Sequence, residues 1–137
     1  MNKGIGQYRQ IGVETALENA SPHRLIQLLF EGALSQLANV KGAIVNRDTV
    51  RLQTSIKKTS TILVGLEEGL DLEKGGEIAA NLEALYQYMQ AELLSIQISM
   101  NEEKVDALIN LLSDIKSGWD GISPEGLASS KETDQTI

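Results

Sequence analysis

Between Ser21 and Gly121 the apolar residues return every three or four positions in four successive stretches, separated by a few turn-forming residues. That spacing is the repeat of an α-helix; neither strand alternation nor a hairpin signal interrupts it. Four amphipathic helices must hide their stripes against one another, and short connections make sequence neighbours antiparallel. The pattern therefore predicts an all-α fold, an antiparallel up-down four-helix bundle.

The punctuation sets the boundaries. Ser21-Pro22 is a helix start: serine caps free backbone N–H groups, and proline suits the first helical position because its missing donor is not needed there. The first helix should run from about Pro22 to Val45. Leu25, Ile26, Leu28, Leu29, Phe30, Ala33, Leu37, Val40 and Ile44 cover a broad sector, while Leu34, Ala38 and Val45 fall toward the other side. So wide an arc marks either a central helix or one that meets partners on two faces. After Asn46-Arg47, Asp48 caps a second helix whose stripe is Leu52, Ile56, Ile62, Leu63, Leu66 and Leu70, with Thr59 inside it. Gly69 is expected to end it in a left-handed conformation. Glu67 and Glu68 sit unfavourably in its last turn, at the negative end of the macrodipole.

The third helix is expected from near Gly76 to about Ser99, with Ile78, Leu82, Leu85, Tyr86, Met89, Leu93 and Ile96 as its main stripe. Tyr88, Leu94 and Ile98 lie off that stripe. A helix that only covered a core would not need them, so this surface points to a protein that works by binding. Asn101 caps the fourth helix, where Val105, Leu108, Ile109, Leu111, Leu112, Ile115 and Trp119 share a face. Residues 1–20 have three glycines and no sustained period and read as a flexible arm; residues 21–122 form the bundle; residues 123–137 read as a disordered tail.

Several function classes are excluded. Without cysteine there is no disulfide, thiolate metal site or cysteine nucleophile. No apolar run approaches the ~20 residues of a membrane span, and the first 20 residues lack a signal-peptide core, so no membrane insertion and a cytoplasmic location are expected. Net charge is −7, and Lys57-Lys58 is the only adjacent basic pair, which argues against nucleic acid. The single histidine, His23, lies in a first helical turn, where a passive surface or capping role is expected rather than phosphotransfer. Paired Glu-x-x-His motifs for a di-metal bundle are missing, and Gly75-Gly76 lacks the Lys-Ser/Thr of a phosphate loop. The expectation is no enzyme, no metal and no cofactor.

Specific segments carry a family resemblance: Ala20-Ser21-Pro22-His23-Arg24-Leu25-Ile26, Leu29-Phe30-Glu31-Gly32-Ala33-Leu34, and above all Leu70-Asp71-Leu72-Glu73-Lys74-Gly75-Gly76-Glu77-Ile78-Ala79 with Asn81-Leu82, Leu85-Tyr86 and Tyr88-Met89. With Trp119, they resemble the flagellar export chaperone FliS family. The resemblance implies a cytosolic chaperone that binds the C-terminal segment of flagellin, prevents its premature polymerisation and passes it to the flagellar type III export gate. Flagellar regulators are further partners in some relatives. Partner-binding candidates are then Tyr8 on the arm, Leu25, Leu28 and Leu29 on the first helix, and Ile78, Leu82, Leu85, Tyr86 and Met89 on the third.

Two further expectations concern the same surfaces. The arm, through Tyr8, Ile11, Val13 and Leu17, would fold over an apolar groove until flagellin arrives. The alternative from another class is a homodimeric helical bundle, structural or adaptor, with no flagellin client; the sequence leaves monomer and weak dimer open.

Overall fold

The computed structural model describes residues 21–122. The expected arm and tail, with Tyr8 and the arm-capping expectation, lie outside the described residues. Among the described residues there are four helices and no strand: α1 (Pro22–Val45), α2 (Thr49–Glu68), α3 (Leu72–Ser99) and α4 (Glu102–Asp120).

Each helix starts on a side-chain cap that accepts from the first turn. Ser21 Oγ accepts from Arg24 N (3.1 Å), Asp48 from Arg51 N (3.0 Å), Asp71 from Lys74 N (3.0 Å), and Asn101 from Glu103 N (2.9 Å). Asp71 caps an unexpected short helical turn before Gly76, while the long part of α3 begins after Gly76, as expected. Gly76 interrupts α3, at φ 53° and ψ −129°, a conformation open essentially to glycine alone. Gly69 is also corrected. It lies in the right-handed region (φ −76°, ψ −7°), because Asp71 begins the next helix two residues later and a tight right-handed turn suffices. Left-handed backbone is found instead at Arg47 (φ 52°) and Met100 (φ 53°), neither of them glycine.

Cross-helix bonds fix the antiparallel order. Lys41 near the end of α1 pairs with Asp106 near the start of α4 (2.8 Å), and Gln27 near the start of α1 bonds Asp120 at the end of α4 (2.8 Å). Between α2 and α3, Ser60 donates to Gln90 Oε1 (2.6 Å), and Gln87 donates to Glu67 (3.2 Å). The second bond gives Glu67 a tertiary partner that offsets its unfavourable place on α2.

The core runs the length of the bundle. Phe30, Leu37 and Val40 from α1 meet Leu52, Ile56 and Leu63 from α2, Met89, Leu93 and Ile96 from α3, and Val105, Leu108 and Leu112 from α4. Buried Thr59 satisfies its hydroxyl on Ser55 O (2.8 Å). Helix α1 is the central element, packed broadly on α2 and α4. Helix α3 leans on α2 and packs only lightly on α4, so the wide apolar arc of α1 is explained by two neighbours, α2 and α4.

Candidate functional site

The loose α3–α4 seam opens at one end of the bundle into an apolar groove of about 230 Å³. Its walls come from all four helices. Ile26 and Phe30 of α1, Leu66 of α2 and Leu70 in the turn that follows it line one side; Ile78, Leu82 and Tyr86 of α3 and Ile115, Gly118 and Trp119 of α4 complete the walls. At the opposite end, the short turn at Met100-Asn101 and a Lys104–Ser95 hydrogen bond (2.6 Å) hold α3 and α4 together. At the groove end no such tie joins them among the described residues. Gly118 keeps the α4 wall low: a Cβ there would meet nothing within 4 Å.

Trp119 is held in place by His23. The rings stack with centroids 5.1 Å apart and 15° between planes. His23 Nε2 donates to Trp119 O (2.9 Å), since a carbonyl can only accept, and Trp119 Nε1 donates to His23 O (3.0 Å). His23 is therefore buried, which corrects the expectation of a passive surface or capping residue. The missing signal was its partner, distant in sequence and impossible to infer from helix position. Next to this pair, the Lys116 ammonium and the Gln27 amide both bond Asp120, holding its carboxyl below its usual range.

Tyr86 lies on the groove floor and is only 3% exposed. Burial pushes its hydroxyl up to about 12, so it stays protonated at neutral pH. Ile78, by contrast, is 55% exposed and forms the lip. Leu82, half-buried, lines the groove with them. The remaining candidates fall elsewhere: Met89 is in the core, Leu85 is half-buried on α3, and Leu25, Leu28 and Leu29 are half-buried on α1 without lining the groove. Ile26, Leu70, Ile115 and Trp119 line it but were not among the candidates; their apolar stripes were visible, but not the gap between helices.

Chemically, the groove offers mainly hydrophobic burial, with the Tyr86 phenol and Asp114 as its polar side chains apart from the Trp119 indole N–H, which is already bonded to His23 O. Its volume falls below the roughly 300–1,000 Å³ of a small-molecule site, but it can take apolar side chains of a peptide. Each such side chain, fully buried, contributes about 1.5–3 kcal/mol. Among the described residues no cluster of His, Asp and Glu has the arrangement of a metal site, and no helix is long and apolar enough to cross a membrane.

Comparison with known proteins covers most of the chain. The family described as flagellar protein FliS matches residues 4–126. The flagellar secretion chaperone FliSB of Pseudomonas aeruginosa is 44% identical over 88% of this chain and 96% of its own. The flagellar secretion chaperone FliS of Salmonella typhimurium is 42% identical over 89% and 91%. The corresponding chaperone of Vibrio cholerae is 31% identical over 91% and 92%.

Proposed function

The chain belongs to the flagellar protein FliS family, and from that premise we propose that it is a flagellar secretion chaperone whose client is the C-terminal segment of flagellin. The observation that carries this reading is the open apolar groove between α3 and α4, with Ile78 left exposed at its lip. A monomeric bundle with no client would close that seam with larger side chains at Gly118 and gain stability by doing so.

The mechanism is reversible masking. A disordered client loses conformational entropy on binding, and apolar burial along the bundle offsets that cost. Side chains seated in the groove are withdrawn from the contacts that would build a filament. Because no covalent step is involved, the client is released by dissociation at the flagellar type III export gate. Ile78, Leu82 and Tyr86 are the primary contacts, with Trp119 as the opposing wall. Leu85 and the α1 residues Leu25, Leu28 and Leu29 would extend the contact along the bundle, while Met89 stays in the core. The protein works in the cytoplasm as a binder, without catalysis.

Titration calorimetry of the full chain with a flagellin C-terminal segment should give a 1:1 complex. Gly118→Phe, which fills the groove without meeting a neighbour at Cβ, should abolish the heat while leaving the helical circular dichroism unchanged. Undiminished binding by a folded Gly118→Phe variant would remove the groove from the reading. A tight dimer in sedimentation with no flagellin binding would favour the structural homodimer instead.

A further inference from the structure

We propose that the Tyr86 hydroxyl is a specificity-determining donor on the groove floor, and that the bound segment must bring an acceptor oxygen to it. The inference rests on reading the groove as the client site and adds what the client must carry there.

Three observations meet at this atom's residue. Tyr86 is 3% exposed and belongs to the core cluster, yet it also lines the groove. Among the described residues its hydroxyl makes no hydrogen bond, whereas buried His23 and Thr59 each have a partner. The surrounding walls are apolar except for Asp114, which makes no hydrogen bond to Tyr86, so once a segment fills the groove little water is left to pair the hydroxyl. A buried hydroxyl left unpaired is a standing cost to a folded protein, and Phe would fill the same space without it. The geometry makes sense if the partner arrives with the client.

A phenol is protonated throughout the physiological range, and burial only pushes this one further up, so it enters the bound state as a donor. An acceptor oxygen is therefore required of the client. Within a client helix the main-chain oxygens are already bonded, so the acceptor is an Asn, Gln, Ser, Thr, Asp or Glu side chain, or a carbonyl at a helix end. A segment offering only hydrocarbon at this depth seals the hydroxyl away unpaired, and a site built to pair a polar group discriminates strongly against the analogue lacking it. Apolar surface thus provides adhesion in the groove, and Tyr86 selects among apolar segments.

The test compares the full chain with its Tyr86→Phe variant, using the flagellin C-terminal segment as ligand. Affinity should fall about tenfold, the loss of one hydrogen bond. The urea midpoint of the free variant should rise at the same time, because an unpaired buried hydroxyl has been removed. A residue that merely supports the fold would not move the two readouts in opposite directions. Equal affinities for a wild-type chain that does bind would overturn this inference and leave the flagellin reading intact. Failure of the wild-type chain to bind would overturn the flagellin reading. A lowered urea midpoint in Tyr86→Phe would overturn the inference whatever the client, since it would mean the hydroxyl already has a partner in the free protein.

Discussion

His23 and Trp119 stack face to face at 5.1 Å, and each donates a side-chain hydrogen bond to the other's backbone carbonyl. They are 96 residues apart and join the first turn of α1 to the last turn of α4, two ends that no loop connects. The same pair fixes the indole that walls the groove, so closing the bundle and shaping the site are one interaction.

Truncating His23 removes one part-buried hydrogen bond and one ring stack. These are worth about 1 kcal/mol and about 0.5–1.5 kcal/mol respectively. His23→Ala should therefore destabilise the bundle by about 2 kcal/mol in urea unfolding. His23→Gln, which keeps a donor in reach of Trp119 O, should lose less. An unchanged midpoint for His23→Ala would show that the clasp contributes nothing to stability.

Gly76 and Gly118 predict opposite signs for the same change. Neither Cβ would meet an atom within 4 Å, so crowding decides neither case. Gly76 holds φ 53° and ψ −129°, and an alanine forced there is strained by about 1–3 kcal/mol. Gly118 sits inside α4 with helical neighbours, where alanine is favoured over glycine by about 1 kcal/mol. Thermal unfolding should place Gly76→Ala below the wild type and Gly118→Ala above it; equal shifts would contradict the break at Gly76.

Local rules made much of this fold legible, and distance made the rest illegible. Ser21, Asp48 and Asn101 were readable as caps because each precedes an apolar period. Asp71 was not, because Gly75-Gly76 looked like the beginning of a helix rather than a break within one. The stripe of α3 correctly separated Met89, Leu93 and Ile96 from exposed Tyr88, Leu94 and Ile98. Its periodicity holds no information on how far α4 stands from α3. Ile78 and Ile96 therefore looked alike in sequence, though one forms the lip of a groove and the other is wholly buried.

Arg47 adopts φ 52° in the α1–α2 turn, where Arg47 N bonds Ile44 O (3.1 Å). Left-handed backbone costs a side-chain-bearing residue about 1–2 kcal/mol relative to glycine. The exposed Arg47 side chain makes no compensating bond among the described residues, so Arg47→Gly should stabilise by about 1 kcal/mol, net of unfolded-state entropy. Met100 has the same backbone but packs on the core, and Met100→Gly should show no such gain. Paired urea titrations of the two variants check the contrast.

Tyr86 sets an alkaline limit on stability. Its folded value is pushed up to about 12 by burial, against about 10 for an exposed phenol. The native state thus holds this proton more tightly than the unfolded state does. The corresponding stability is fully present below pH ~10 and is lost as pH rises toward ~12, a swing of up to about 3 kcal/mol. Lysines and the other tyrosines titrate in the same window, but they do so equally in a Tyr86→Phe variant. Urea midpoints measured for both proteins from pH 8 to pH 11.5 isolate the one group. The advantage of Tyr86→Phe over the wild type should widen above pH ~10; parallel curves across the range would mean that the Tyr86 phenol ionises as readily folded as unfolded.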